Sequence, residues 1–183
     1  MPKIIATKED WVKLGYKLFS EKGISGIVIE SMAKKLKVNK SSFYWHFSTK
    51  KSFVDEIILF WENDSANDII SMVNSFDKPK EKFVKLVELS FKKDNNLDFF
   101  FYIKKYAKSN KALSKKIDEL DMQRILFTQK LIVDLGYTDK EAKIKSEVFY
   151  KYLIGYHEMI RYKKQRKDYL KELKVELNQF IKF

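Results

Sequence analysis

No cysteine occurs anywhere in the 183-residue chain. That excludes disulfides, thiolate metal sites and cysteine nucleophiles, and it is compatible with a reducing compartment. Glycine and proline are scarce, at 5 and 2 residues. Sheet proteins need many tight turns and helices tolerate both residues badly, so the scarcity favours an all-α fold. Histidine is nearly absent: His46 and His157 are the only two, and they do not share metal-ligand spacing. No Gly-rich phosphate loop or nucleophile motif accompanies them. The sequence therefore reads as a protein that is not an enzyme and uses no metal or cofactor. No apolar run approaches the roughly 20 residues that a membrane-spanning helix requires. The N-terminus also lacks an apolar signal core. The expectation is a cytoplasmic protein with no membrane partner.

What is present is apolar material and positive charge. Hydrophobic residues make up 45% and aromatic residues 15% of the chain, which is ample for a core. The net charge of +12 is distributed unevenly: residues 1–51 hold 11 lysines against 4 acids, and residues 52–183 hold 26 basic against 21 acidic residues. A basic leading segment on a nearly balanced remainder points to a polyanionic partner.

Helical periodicity and cap signals order the chain into about nine helices. Thr7 followed by Asp10 resembles a capping box, and the stripe Trp11, Leu14, Leu18 runs to a stop at Lys22-Gly23. A short helix is expected over Glu30–Leu36, a break at Lys37-Val38-Asn39, and a second short helix over Lys40–Phe47 with Asn39 as its cap. Ser48 or Thr49 caps a long helix towards Phe76. Pro79 suits the first turn of a helix reaching Lys93, and Asp94-Asn95-Asn96 reads as a turn. Further helices are expected over Leu97–Lys108, from Asn110 to about Leu135, from a Thr138/Glu141 capping box to about Lys164, and over about Arg166–Lys182.

The order helix, short helix, turn, short helix over residues 7–47 has the dimensions of a helix-turn-helix unit. In Lys40-Ser41-Ser42-Phe43-Tyr44-Trp45-His46-Phe47, the phenylalanines are four apart and can face inward against Met32, Ala33 and Leu36. The opposite face offers Lys40, Ser41, Tyr44 and Trp45, with Ser42 and His46 at its edges. Hydroxyls, an amine and an imidazole beside aromatic rings suit a DNA groove and its phosphates. Lys50 and Lys51 open the next helix, where charge and free N–H groups can both meet a phosphate.

These residues, with Leu18-Phe19, Lys22-Gly23, Met32-Ala33 and Val38-Asn39, resemble the TetR/AcrR family of transcriptional regulators over residues 7–55. The resemblance implies a dimer on double-stranded DNA, one recognition helix per subunit in successive major grooves, and an effector pocket in the C-terminal part. It implies phosphate contacts from Tyr44 and Lys50, a groove face of Lys40, Ser41, Ser42 and Trp45, and His46 at the edge. On this reading residues 1–47 are a DNA-binding domain and residues 48–183 a ligand-binding and dimerisation domain. Three positions depart from the family pattern. Lys37 stands where glycine is common in the turn, Ile27-Val28-Ile29 replace a hydroxyl at the start of the second helix, and Ser41 replaces glycine at the start of the recognition helix.

In the body, Tyr152, Gly155, Tyr156 and Met159 belong to a broad apolar stripe that also includes Phe149, Leu153 and Ile160. Gly155 in mid-helix costs about 1 kcal/mol relative to alanine, which close approach of another helix would justify. Leu170, Leu173, Leu177 and Phe180 form a second stripe, so Leu173 and Leu177 join the expected homodimer interface. The run Phe99-Phe100-Phe101-Tyr102 wraps around most of a helix. Phe99, Phe100 and Tyr102, with Trp61, Phe127 and Tyr150, are the candidates to line a pocket for a small apolar or aromatic effector. The rival reading is a helical module whose basic head binds a protein partner or an anionic membrane surface. An interfacial amphipathic helix, however, has no need of the turn between two short helices.

Overall fold

The structure is a computed structural model. It describes residues 6–93, 97–161 and 163–183, the side chains of residues 63–68 and 97–98 excepted. Among the described residues all regular structure is helical: α1 Lys8–Lys22, α2 Ile29–Lys35, α3 Ser41–His46, α4 Lys50–Asn74, α5 Pro79–Phe91, α6 Leu97–Ala107, α7 Lys111–Asp134, α8 Asp139–Ile160 and α9 Tyr169–Leu177, with a 3-10 turn at Gly23–Gly26. The turn expected at Asp94-Asn95-Asn96 lies outside the described residues.

Local chemistry explains most boundaries. Thr7 Oγ1 accepts from the Asp10 amide at 3.1 Å, and Asp10 returns an oxygen to the Thr7 amide at 2.9 Å. Aspartate therefore completes the box that glutamate usually makes. Thr49 Oγ1 accepts from the Ser52 amide at 3.0 Å and opens α4. Thr138 and Glu141 make a full capping box at α8. Pro79 occupies the first turn of α5, where its missing N–H leaves nothing unsatisfied. After α1, Gly23 takes φ +62, a left-handed conformation open to glycine at little cost.

Two helices are shorter than periodicity suggests. α8 ends at Ile160, not near Lys164, because the Lys93 ammonium donates to the carbonyls of Ile160, Arg161 and Lys163 at 2.9, 2.7 and 2.7 Å. The cation meets these carbonyls where the α-helical ladder stops, and Ile160 O also accepts from the Lys163 amide at 2.9 Å in a tighter closing turn. Gln165 completes the joint: its carbonyl accepts from the Lys93 amide at 2.9 Å and its amide donates to Phe91 O at 2.7 Å. α9 starts only at Tyr169, after Arg166 has paired with Asp168 at 3.0 Å and Glu172 at 2.8 Å.

The chain forms two compact units: Met1–Ala66 with Asn95–Asn110, and Asn67–Asp94 with Lys111–Phe183. By compactness the division falls within α4. The reason is aromatic packing. Phe99 of α6 is fully buried against Tyr16, Phe19 and Trp61, with ring centroids at 4.8, 5.0 and 5.3 Å. The same core receives Phe53 and Ile57 of α4. α1 and α4 meet closely at Gly15, where an added Cβ would lie 2.5 Å from Phe53 Cζ and 2.6 Å from Ile57 Cδ1.

The second unit centres on Phe83, Val87, Phe91, Phe149, Leu173 and Leu177. Phe91 touches Phe149 edge-on at 5.5 Å and Tyr156 at 5.2 Å. α7 and α8 pack against each other, with α5 against both. A shallow groove along α5 is lined by Phe76, Val84, Lys78, Lys80, Lys85, Glu81 and Glu88.

Candidate nucleic-acid interface

α3 is held from one side by a ring cluster. Phe43 is fully buried and touches Trp11 at 5.3 Å, Phe47 at 5.1 Å and Phe53 at 5.1 Å. Phe47 closes on Phe53 at 4.7 Å. The i,i+4 phenylalanines thus fasten the helix to α1 and α4, with Met32 and Ala33 of α2 buried in the same unit. Six residues would not hold a helical shape alone. The cluster supplies what length cannot.

The other face is open. Tyr44 is 57% exposed and Trp45 86% exposed, an unusual surface for two large rings on a short helix. The Tyr44 ring stands at right angles to Phe43 at 5.3 Å, so its position is set from beneath. Lys40 and Ser41 are exposed at the start of α3, and Lys50 and Lys51 at the start of α4. Lys40 approaches Glu30 at 3.9 Å, and Lys50 Nζ lies 3.5 Å from Ile24 O. Exposed pairs of this length bind their cations weakly and leave them available to a stronger anion. Asn39 Oδ1 accepts from the Ser41 amide at 3.0 Å and shapes the entrance to α3. α2 opens at Val28 with no side-chain cap, as its lack of a hydroxyl implies.

Two residues of the expected contact set are partly engaged inside the unit. Ser42 Oγ accepts from the indole N–H of Trp11 at 3.4 Å. His46 Nε2 donates to Ala6 O at 3.0 Å, and both side chains are half-buried. The link from His46 to the residues before α1 had no signal in the sequence, because 40 positions separate the partners.

The family described as bacterial regulatory proteins, tetR family, matches residues 12–57. Residues 12–57 are thus similar to the N-terminal DNA-binding module of that family. The negative transcriptional regulator IcaR of the Staphylococcus aureus biofilm operon (strain Newman) is 40% identical over 55 residues, which are 30% of this chain and 29% of IcaR. The match therefore spans less than a third of that relative's length. The fold extends further. A transcriptional regulator from Rhodococcus sp. Rha1 superposes with a TM-score of 0.72 at 16% identity, over 96% of each chain. The ketosteroid transcriptional regulator KstR2 of Mycobacterium tuberculosis gives 0.68 at 18% identity, over 99% of this chain and 98% of that one. The TetR-like fold thus continues through the C-terminal helices, where sequence likeness has faded.

The residues expected to line an effector pocket divide between the two units. Trp61, Phe99, Phe100 and Tyr102 belong to the first unit, Phe127 and Tyr150 to the second. Phe100 lies 5.9 Å from Trp61 with the Lys104 ammonium over its ring at 4.4 Å. The Tyr102 hydroxyl donates to Glu21 O at 3.4 Å. The consecutive phenylalanines separate by helical geometry into buried Phe99, half-buried Phe100 and exposed Phe101. Phe127 packs at the edge of the second core. The Tyr150 hydroxyl donates to Asp121 at 2.6 Å, and burial, then that bond, pushes its pKa well above the ordinary value. None of the six lines the groove along α5.

The expected dimer residues separate too. Leu173 and Leu177 are fully covered inside the second unit, whereas Met159 is 73% exposed. Gly155 is exposed, and a Cβ added there would meet nothing within 4 Å. Tyr152 and Tyr156 are half-buried beside the core, the Tyr152 hydroxyl donating to Glu176. Ile144, Val148 and Ile154 on α8 and Met122 and Leu126 on α7, which the sequence did not single out, are exposed. Among the described residues no group of three His, Asp or Glu side chains could hold a metal, and no helix is long and apolar enough to cross a membrane.

Proposed function

We propose that this protein is a DNA-binding transcriptional regulator of the repressor type, acting as a two-fold dimer on a palindromic operator and released by a small apolar or aromatic effector. The observation that carries the proposal is the open face of α3, with Tyr44 and Trp45 exposed on a helix pinned from behind by Phe43 and Phe47. A rigid helix presenting rings and a terminal amine, flanked by Lys50 and Lys51, fits a major groove and its phosphates. Repression is taken from the negative regulator IcaR, whose likeness lies in this module.

Dimerisation is supported by the exposed stripe Ile144, Val148, Gly155 and Met159, at intervals that keep one face of α8. Soluble chains seldom leave such a stripe in water, and a two-fold pairing would bring two α8 helices together across the glycines. The effector rests on the family likeness and on the aromatic packing of Trp61 against Phe99 and Phe100.

The test is selection of genomic duplexes by the purified protein, followed by a salt titration on the selected site. Lys50→Ala should weaken binding to all sequences and flatten the salt slope. Lys40→Ala and Trp45→Ala should instead change sequence preference. Unchanged binding by both Lys50→Ala and Tyr44→Phe would sink the docking arrangement. Binding to anionic vesicles but not to duplex DNA would replace it with the surface-binding reading.

A further inference from the structure

Among the described residues, Lys37 is the single non-glycine position with a positive φ, at 58°. It lies in the turn between α2 and α3, and the hydrogen bonds there define its place. Val38 N–H reaches back to Ala33 O at 3.0 Å, and Lys37 N–H to Lys34 O at 3.2 Å. This 6→1 and 5→2 pairing is a Schellman closure, and Lys37 stands at the left-handed position that glycine ordinarily fills. A Cβ there crowds the following carbonyl. The turn needs only a backbone at Lys37 and is strained by having a side chain.

That side chain is exposed, and among the described residues it makes no hydrogen bond or ion pair. It stands in a basic edge with exposed Lys34, Lys35 and Lys40. It also precedes by two residues Asn39, whose side chain shapes the start of α3. Strain held at a residue whose side chain makes no contact within the fold points to a contact outside it. We infer that Lys37 is a phosphate-binding cation of the turn, engaging the DNA backbone beside the groove that α3 enters. The inference rests on the reading of α3 as a DNA-docking helix. It adds a contact at a position where the turn by itself calls for glycine.

The experiment uses the full chain, its Lys37→Gly, Lys37→Asn and Lys37→Arg variants, and a duplex of mixed sequence labelled for anisotropy. Affinity is followed across a potassium chloride series, and the thermal midpoint is recorded alongside. Lys37→Gly should raise the midpoint while making the slope of log affinity against log salt shallower by about 0.9, the loss of one neutralised phosphate. Lys37→Asn, which tolerates the same backbone without the charge, should show the same slope change. Lys37→Arg should keep the parental slope. If the parent binds and Lys37→Gly and Lys37→Asn keep its slope, the inference is overturned and the docking reading stands. If the parent fails to bind duplex DNA at all, both fall together.

Discussion

At the scale of single residues, volume and backbone geometry decide more than residue class. Gly15 lies mid-helix, where glycine costs about 1 kcal/mol relative to alanine, yet it admits Phe53 and Ile57 to within 2.5 and 2.6 Å of where a Cβ would stand. Gly15→Ala should therefore destabilise the first unit by about 1–3 kcal/mol through overpacking, read as a lower urea midpoint with an unchanged slope. Gly155, placed as awkwardly on its helix, has empty space around it. Sequence alone could not tell these two glycines apart, since each is a glycine within a helical stripe. The Phe43–Phe47 pair was legible from its spacing. The orientation of Ser42 towards Trp11 was not, because 31 positions separate them.

At the scale of elements, the caps were readable because their partners lie three residues apart. The hydrogen bonds from the Thr7 side chain and amide hold the Asp10 carboxyl below the usual carboxylate range, and those from Thr138 do the same for Glu141. A carboxylate whose folded pKa is depressed contributes stability that is present above its unfolded value of about 4 and is lost as pH falls through the folded value. Asp10→Asn combined with Glu141→Gln should flatten the acid limb of the stability profile below about pH 4 and leave the neutral-to-alkaline limb parallel to the parent. The end of α8 was not readable, because its cap comes from Lys93, 67 to 70 positions away. Lys93→Met should cost about 2 kcal/mol by leaving carbonyls at the end of α8 without their cation. Faster amide exchange at residues 160–165 would localise the loss, and an unchanged midpoint would refute it.

At the scale of the whole molecule, the surface of the second unit bears on assembly. α9 buries Leu173 and Leu177 within its own unit, so the 3-4-3 stripe that suggested an interface completes a core. An apolar face of α8 is exposed, at Ile144, Val148 and Met159. Val148→Glu should shift the protein towards monomer in sedimentation while leaving its helical circular dichroism intact. It should also weaken binding to a two-half-site duplex far more than to a single half-site, because only the former needs both subunits at once. A variant that sediments like the parent would place the interface elsewhere.

The sequence by itself determined the helical class, the side-chain-capped starts of α1 and α8, the inward and outward faces of α3 and the basic character of the N-terminal module. Each of these depends on residues a few positions apart, or on composition, and so is written locally. Tertiary structure alone decided that α6 joins the core of Tyr16, Phe19 and Trp61, where α8 stops, and which apolar stripes are covered. An amphipathic helix states that it has a face to bury, but not which neighbour will bury it. That choice is made by contacts between residues far apart in the chain, and periodicity carries no record of them.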